Sequence, residues 1–439
     1  MKKYRIVTNI IAVPIIAYLV SILGISELRA QVKDQQLDVL HYQVSITPDI
    51  AASKFDGSET ITLVTGENKI SLDCRGLEVR TVEGEFVKEH LHKYNKLIVT
   101  FNPQSPRKKQ IRVEYSGNQS SGIKFFPGKK QVHTTYFTQD WLICNNKPND
   151  RATIYSNLIL DEKLKSIATG SLSKIESSEE GKVIHSWKLE VAAPAYTYGF
   201  VAGELNHHIE DFKNSTLHHY SSSYTSEQMK EVFTTTSDIL EFFETKAGMP
   251  YFQKSYSQFL GQGNVSQEVC GFALLRGEYG NQVLRDSTQI NLSAHELAHQ
   301  WWGNMITCES YRHFWLNEAM AVFMSSVYKE YRFGKEKYKE DIGVYLQVYN
   351  NVKKAGEDKP LVFESWDNPS RNDRNIVYYK GAYVLHLLRE KVGDEKFWQG
   401  VKNYSQRYYG QSAITEDFQS EMEIATGTDL SGFFAEWVY

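Results

Sequence analysis

Apolar and polar residues alternate along the first half of the chain, from about residue 38 to residue 204. The apolar runs are short, and Gly, Pro, Asn and Asp separate them. A period of two places the apolar side chains of a strand on one face, which is typical of an antiparallel sheet. The pattern therefore predicts an antiparallel β domain. The clearest runs are Tyr42, Val44 and Ile46; Ile61 and Leu63; Ile111, Val113 and Tyr115; and Val183, His185, Trp187 and Leu189.

The period changes near residue 225, where Thr225 and Gln228 are spaced as a capping box and an apolar run ends before Gly248 and Pro250. The residues at helical spacing in this run are Met229, Val232, Phe233, Ile239, Leu240 and Phe243. Similar spacing predicts helices over residues 293–309, 314–333, 335–354, 375–391, 394–408 and 415–425, with a loop at 363–375. We therefore predict an α+β fold, with an N-terminal antiparallel β domain (31–205) and a mostly helical domain (206–439).

Residues 1–30 have the composition of an export signal. Lys2, Lys3 and Arg5 precede an apolar run over residues 10–25, and a polar stretch follows it. We expect a signal peptide that is cleaved after Ala30, and the alternative is an uncleaved signal anchor. The chain is therefore expected to work outside the cytoplasm, in a periplasm or the extracellular space. Contact with a membrane is expected only through residues 1–30, if they are retained.

The charge of the chain argues against a nucleic-acid-binding protein, and the spacing of its cysteines argues against a cysteine metal cluster. The chain has 49 Lys and Arg residues and 53 Asp and Glu residues, a formal net charge of −4, which disfavours nucleic-acid binding. The cysteines are far apart and form no C-x-x-C pair, so they are not a metal cluster. Their spacing leaves open whether any pair forms a disulfide after export. The four residues are Cys74, Cys144, Cys270 and Cys308.

The sequence HELAHQWW, residues 295–302, carries the most specific chemical signal. His295 and His299 are one helical turn apart, so both imidazoles can reach one metal ion. A catalytic zinc needs a third protein ligand and one position for water. Glu318, on the next apolar-periodic helix, can supply it and gives the spacing H-E-x-x-H-x18-E. Polar residues embedded in such apolar helices need partners, which favours one zinc per chain over two helices whose polar residues face solvent.

Glu296 lies next to the first histidine but is not needed on the metal. Zinc lowers the pKa of a water in its fourth position toward neutrality. Glu296 is placed to accept the proton of that water and to pass it to the leaving amine. The oxyanion that forms would need zinc and one good hydrogen-bond donor. This chemistry predicts metal-assisted hydrolysis.

Several segments together resemble the zinc aminopeptidases of the aminopeptidase N and leukotriene hydrolase family. They are HELAHQWWGNMIT, WLNEAMA, VYYKGAYVLHLLR (377–389) and YTYGFVAGEL (196–205). The resemblance covers roughly residues 38–439 and implies a thermolysin-like catalytic domain after the β domain. It also implies that Tyr378 donates the hydrogen bond to the oxyanion. Tyr379 and Tyr383 are the nearby alternatives for that role.

Two departures from the family's pattern bear on substrate choice. The family's Gly-x-Met-Glu-Asn strand is matched by residues 265–278, which keep Glu268 but have Val269 in place of asparagine. The resemblance implies that Glu268 binds the free α-amino group of a substrate and that Gln139 lines the same pocket. The chain also ends where the family's catalytic domain ends, so the C-terminal helical domain of the family is expected to be absent.

These observations predict an exported zinc metallopeptidase that acts on peptides, in the first place an aminopeptidase. One alternative is a zinc endopeptidase or a narrow-specificity hydrolase with an altered amine pocket. The other is a non-catalytic binding protein that keeps the fold, and the intact HELAH motif and Glu318 argue against it. Side-chain preference and oligomeric state stay open.

Overall fold

The computed structural model describes residues 37–364, 366 and 368–439. The predicted export signal at residues 1–30 lies outside the described residues. Within the described part of the chain, no helix combines the length and the apolar character needed to span a membrane. The four cysteines are buried and carry free thiols.

Short strands build the N-terminal domain, as the alternating pattern predicted. In chain order they are β1 (Asp38–Asp49), β2 (Lys54–Val64), β3 (Lys69–Asp73), β4 (Glu78–Glu83), β5 (Val87–Lys93), β6 (Lys96–Phe101), β7 (Lys108–Asn118), β8 (Ile123–Phe126), β9 (Gln131–Thr134), β10 (Arg151–Asp161), β11 (Lys165–Ala168), β12 (Ser171–Ser177), β13 (Lys182–Pro194) and β14 (Phe200–Gly203). They form a seven-stranded sheet (β12-β13-β10-β1-β2-β7-β4), a four-stranded sheet (β11-β14-β9-β8) and a three-stranded sheet (β3-β6-β5).

Strand β1 lies at the centre of the seven-stranded sheet. It pairs antiparallel with β2, where Tyr42 is opposite Ile61, and parallel with β10, where Tyr42 is next to Ile154. The parallel pair is an exception to the predicted antiparallel pattern, and it is possible because a long crossover separates the two strands in the chain. Alternate side chains of β1 are buried in a core to which all three sheets contribute.

The C-terminal domain contains a mixed sheet and most of the helices. Its strands are β15 (Asn206–Phe212), β16 (Ser215–Ser221), β17 (Ser255–Gly261), β18 (Gln267–Val269), β19 (Phe272–Arg276), β20 (Thr307–Cys308) and β21 (Ser412–Ala413), of which the first five form a sheet in the order β15-β16-β17-β19-β18. Its helices are α1 (Ser226–Val232), α2 (Thr236–Ala247), α3 (Glu278–Arg285), α4 (Asn291–Ala298), α5 (Trp315–Phe333), α6 (Lys335–Lys354), α7 (Arg371–Asn375), a π-helix (Ile376–Lys380), α8 (Gly381–Val392), α9 (Asp394–Tyr408), α10 (Thr415–Thr426) and α11 (Ser431–Trp437).

A β domain followed by a mostly helical domain confirms the predicted α+β fold, but three predicted elements were wrong in detail. The helix expected over 293–309 ends at Ala298, and the chain then turns through Gly303, whose φ of +144° favours glycine. The helix expected over 375–391 begins as a π-helix. The loop expected at 363–375 ends in α7, where Ser370 and Asp373 form a capping box. The domain boundary at residue 205 stays a prediction.

Helix α5 organises the part of the C-terminal domain that concerns function. All of its residues from Trp315 to Lys329 are buried, as expected for a helix surrounded by protein on every side. Helix α4, the π-helix and α8 all pack against it. Segments that are distant in the chain, including HELAH, WLNEAMA and the Tyr-x-Lys-Gly segment, therefore meet at one place.

Candidate metal centre and active site

Helix α4 and the turn after it hold the two histidines of HELAH. Their Nε2 atoms lie 3.1 Å apart, since His295 and His299 are separated by one helical turn. His299 is the C-cap residue of α4, and its Nδ1 lies 2.9 Å from the carbonyl oxygen of Trp302. Because a carbonyl oxygen only accepts, Nδ1 carries the proton and donates it to Trp302. The lone pair of Nε2 is thereby left for a metal.

Glu318, in the first turn of α5, lies against both imidazoles. Its Oε2 is 3.5 Å from Nε2 of His295 and 3.4 Å from Nε2 of His299. The ligand atoms of the three residues all lie within 4.8 Å of one another. The Glu318 side chain is 5% exposed, and among the described residues its Oε2 has no hydrogen-bond partner. A buried carboxylate oxygen without a hydrogen bond, beside two imidazoles, fits the donor set of a His2Glu zinc site.

The charges around these ligands also fit a bound cation. Burial by itself lowers the pKa of His299, but the surrounding carboxylates, that of Glu318 first, raise it to about 10. Burial by itself raises the pKa of Glu318, but the charge of the two nearby imidazoles, that of His299 first, holds it down to about 2. A carboxylate buried away from water needs positive charge nearby to stay ionised. A divalent metal would supply that charge in place of a proton.

Two further carboxylates face the same site. Glu296 is buried on α4, and Glu268 is buried on β18, an edge strand of the five-stranded sheet. Burial raises the pKa of Glu268 to about 7. Burial, and then the charge of Glu268, raises the pKa of Glu296 well above its usual value. A carboxylate with a raised pKa is suited to accept a proton near neutral pH.

Tyr378, on the π-helix, is the tyrosine that lies beside the predicted metal ligands. Its ring stacks on that of His295, with centroids 6.1 Å apart. Burial, followed by the charge of Glu318, raises the pKa of its hydroxyl. Tyr379 packs instead against Tyr345, and Tyr383 lies against His386. The geometry therefore favours Tyr378 over both alternatives, and a π-helix is a common feature of functional sites.

Gly381 allows the π-helix to approach α5 closely. A Cβ atom on Gly381 would lie 2.5 Å from the Cβ of Ala319, the residue after Glu318. From the other side, the Nζ of Lys380 donates hydrogen bonds to Asp358 Oδ1 (2.9 Å) and to the carbonyl oxygen of Lys359 (2.7 Å). These contacts hold the segment that carries Tyr378 against the helix that carries Glu318.

A cavity of about 720 Å³ lies over these residues, a volume within the range of small-ligand sites. Six of the seven site residues predicted from the sequence line it: Glu268, His295, Glu296, His299, Glu318 and Tyr378. Arg276, Lys329 and Asp341 also contribute to the wall. The structure thus brings together groups that are up to about a hundred residues apart in the chain.

Gln139 is the one predicted site residue that is not among the described residues lining the cavity. It is half-buried in the 3-10 helix Thr138–Asp140, and its Oε1 accepts a hydrogen bond of 2.9 Å from Asn146 Nδ2. Its place in the substrate pocket stays a prediction. The side chain of Val269 is buried in the core of the β domain, close to Gly199. The residue that replaces the family's asparagine therefore lies behind the cavity wall.

Tyr136 is a cavity residue that sequence reasoning missed. It belongs to the β domain, is about half exposed and lines the cavity together with Glu268. Its hydroxyl donates a hydrogen bond to the carbonyl oxygen of Ser266, just before β18. The only available signal was its position three residues before Gln139, in the segment YFTQDW. Alternation alone does not tell which aromatic residue of that segment faces the cavity.

Two family models match the chain, one in each domain. The model described as Peptidase M1 N-terminal domain matches residues 39–197. The model described as Peptidase family M1 domain matches residues 231–437, which include the six cavity residues predicted from the sequence. The chain belongs to peptidase family M1. The two M1 matches follow the division into a β domain and a mostly helical domain.

Curated relatives of this M1 chain are aminopeptidases of greater length. Probable aminopeptidase 1 of Saccharolobus solfataricus is 24% identical over 418 residues, which cover 89% of this chain and 52% of the relative. Aminopeptidase N of Lactococcus lactis subsp. lactis is 26% identical over 438 residues, which cover 91% of this chain and 50% of the relative. The chain therefore spans about half the length of these curated relatives.

Solved M1 structures share the fold over nearly their whole length. A mutant of a two-domain M1 zinc metallopeptidase bound to L-tryptophan has a TM-score of 0.76 and 21% identity, and the match covers 92% of this chain and 94% of that one. The M1 zinc metallopeptidase from Deinococcus radiodurans has a TM-score of 0.74 at the same identity and coverage. At this identity the likeness shows the fold, which is the predicted two-domain arrangement.

Proposed function

We propose that this chain is an exported zinc aminopeptidase that removes residues from the free N termini of peptides. The observation that carries the proposal is the meeting of His295, His299 and Glu318 at one buried point, where a carboxylate oxygen has no hydrogen bond among the described residues. Two kinds of relatives support the substrate class. The curated M1 relatives are aminopeptidases, and a solved M1 mutant from Deinococcus radiodurans is bound to a Tyr-Ser-Ala substrate.

His295, His299 and Glu318 would hold one zinc ion per chain. Bound zinc supplies Lewis acidity, which lowers the pKa of a water and polarises the carbonyl group of the scissile bond. The hydrogen bond from His299 Nδ1 to Trp302 fixes the orientation of one ligand. The two histidines and the glutamate line the cavity, where a peptide would bind.

The remaining residues act on protons and on the peptide. The carboxylate of Glu296 would accept a proton from the attacking water and deliver it to the amine that leaves. The hydroxyl of Tyr378 would donate a hydrogen bond to the carbonyl oxygen as it gains negative charge. Glu268 would bind the α-ammonium group of the substrate through a charge-assisted hydrogen bond. The positive charge of that group would also favour the ionised form of Glu268.

The test combines zinc analysis with pairs of peptides that differ only in an acetyl group at the N terminus. We expect one zinc per chain, activity that is lost on chelation and regained with zinc, and a much higher kcat/KM for the free peptides. Glu268→Ala should reduce the difference between free and acetylated peptides, because the charge pair is lost. Protein that holds no zinc even after zinc is added would refute the proposal.

The same experiment separates the two alternatives. Internal cleavage of acetylated peptides at the rates of the free peptides would indicate a zinc endopeptidase or a hydrolase with an altered amine pocket. Stable binding of zinc without cleavage of either peptide would indicate a non-catalytic binding protein.

Export rests on the pattern of residues 1–30 and has a separate test. Fractionation of the producing cell should find the mature protein outside the cytoplasm, with its N terminus after Ala30. Retention in the membrane with residues 1–30 attached would indicate the signal anchor. Full-length protein in the soluble cytoplasmic fraction would contradict export.

A further inference from the structure

The hydroxyl of Tyr196 joins the β domain to both segments that carry predicted metal ligands. Tyr196 lies in the 3-10 helix Ala195–Thr197, between β13 and β14, and is 8% exposed. Its hydroxyl donates a hydrogen bond of 3.0 Å to the carbonyl oxygen of Gly303 and accepts one of 3.0 Å from Asn317 Nδ2. None of the catalytic roles proposed above uses this side chain.

Gly303 lies directly against the second histidine. A Cβ atom on Gly303 would lie 2.7 Å from Nδ1 of His299, so the imidazole packs directly against the main chain of Gly303. The N–H of Asn304 also donates a hydrogen bond of 2.8 Å to the carbonyl oxygen of His299. A shift of the Gly303 carbonyl group would therefore move the surface that orients His299.

Asn317 directly precedes Glu318 and is held at both ends of its amide. Its Oδ1 accepts a hydrogen bond of 3.0 Å from the N–H of Cys308, and its Nδ2 donates to Tyr196. Asn317 is buried, so these hydrogen bonds have no ready replacement by water. Together they set the rotation of the first turn of α5, where Glu318 lies.

The carbonyl groups of Tyr196 and Thr197 also hold the strand that carries Glu268. Gln267 Nε2 donates a hydrogen bond of 3.2 Å to the carbonyl oxygen of Tyr196. The N–H of Cys270 donates one of 2.8 Å to the carbonyl oxygen of Thr197. One short turn of the β domain thus contacts the neighbours of three site residues on three separate elements.

We propose that Tyr196 is a positioning residue that sets the separation of His299 and Glu318 for zinc. The β domain is then a structural part of the metal site. Hydrogen-bond partners that hold metal ligands commonly contribute about 10- to 100-fold to metal affinity or activity. This inference rests on the zinc site of the proposed function.

The test compares Tyr196→Phe with Tyr198→Phe. Both changes remove only a buried hydroxyl. That of Tyr198 lies 2.6 Å from the carbonyl oxygen of Ala152 and 2.9 Å from that of Ala193, entirely within the β domain. The zinc dissociation constant is measured by competition with a chelator, and the unfolding of the zinc-free proteins by urea. We expect Tyr196→Phe to weaken zinc binding about 10-fold or more, and Tyr198→Phe to leave it unchanged.

The unfolding measurement separates positioning from general loss of stability. If both variants lose similar stability without zinc, a difference in zinc affinity comes from the site. Asn317→Ala should also weaken zinc binding, and the combined effect with Tyr196→Phe should be smaller than the sum of the two single effects, because both changes remove the hydrogen bond between these side chains. Equal zinc affinity of Tyr196→Phe and the native protein would overturn the inference while leaving the zinc site intact. Native protein without zinc would refute the proposed function itself.

Discussion

Two glutamates that line the cavity at the predicted metal centre differ in their affinity for protons. The pKa of Glu296 is raised, by burial and by Glu268. Burial acts in the same direction on Glu318, but His299 holds its pKa down to about 2. Residues with separated pKa values in one site commonly take separate roles. The raised pKa suits Glu296 to accept a proton, and the lowered pKa suits Glu318 to be a permanently ionised metal ligand.

The role of Glu296 leads to a prediction about Glu296→Gln. An amide of the same shape cannot accept a proton, so turnover should fall by about 10²-fold or more, whereas the zinc content should be that of the native protein. Zinc analysis and kcat on a free dipeptide measure the two quantities. Glu336→Gln, at an exposed carboxylate paired with Lys339, is the control and should change neither. Loss of zinc in Glu296→Gln would mean that Glu296 is itself a ligand.

The role of Tyr378 leads to a second prediction. Tyr378→Phe should lower kcat by about 10²- to 10³-fold with little change in KM, because the hydroxyl acts mainly on the transition state. Steady-state kinetics on one peptide give both constants. Tyr383→Phe, which lies against His386, serves as the control with unchanged kinetics. Near-native activity of Tyr378→Phe would assign the oxyanion to another donor.

At the scale of elements, the close approach of the first residue of α8, which directly follows the π-helix, to α5 requires a glycine. Gly381→Ala would place a Cβ atom 2.5 Å from that of Ala319. We expect a loss of about 1–3 kcal/mol in the free energy of unfolding, together with a fall in kcat/KM, because Tyr378 moves away from Glu318. Gly343→Ala, in α6, meets no atom within 4 Å and should instead stabilise the protein by up to about 1 kcal/mol. Urea unfolding and peptide cleavage measure both variants.

The helices around the site also show what could be predicted from the sequence. The spacing of His295 and His299 follows from the geometry of a helix, so their meeting was predictable from a short stretch. The end of α4 at Ala298 was not, because the Trp-rich sequence after it continues the apolar pattern, and the later turn through Gly303 does not interrupt that pattern. The π-helix at Tyr378, which packs against α5, likewise could not be distinguished from an α-helix by the spacing of its apolar residues.

In the molecule as a whole, buried histidines should make stability depend on pH. His219, on β16, is 1% exposed, stacks on Phe233, and has no hydrogen-bond partner for either ring nitrogen within the described ranges. Burial, and then the neighbouring histidines, lowers its pKa to about 3. The unfolded chain takes up this proton near pH 6.5 and the folded chain does not. The free energy of unfolding should therefore fall as pH drops from about 6.5 toward 3, by up to about 1.4 kcal/mol per pH unit.

His219→Phe tests this dependence. Phenylalanine keeps the ring that packs on Phe233 and cannot be protonated, so the free energy of unfolding should depend less steeply on pH between about 4 and 6. Urea unfolding of the zinc-free protein across that range measures the slope. His90→Phe, at an exposed position of β5, should leave the slope unchanged. An unchanged slope in His219→Phe would mean that the folded protein accommodates the protonated ring.

The order of the β domain and the mostly helical domain was predictable from the sequence, but the pairing of strands and the packing of the two domains were not. Alternation at residues such as Tyr42, Val44 and Ile46 indicated strands, because a half-buried strand needs that period. The period does not identify the neighbouring strand, and the parallel pairing of β1 with β10 is set by contacts about a hundred residues apart. The position of Tyr136 in the cavity was unpredictable for the same reason, because it depends on how the two domains pack against each other.

The link through Tyr196 also bears on how the protein is made. The β domain leaves the ribosome first, and domains generally fold as units during synthesis, at about 5–20 residues per second. Glu318 is therefore synthesised on the order of ten seconds after Tyr196. A β domain that has already folded would present its tyrosine hydroxyl to Gly303 and Asn317 as they emerge. The first half of the nascent chain would thus act as an internal template on which the second half assembles its zinc ligands.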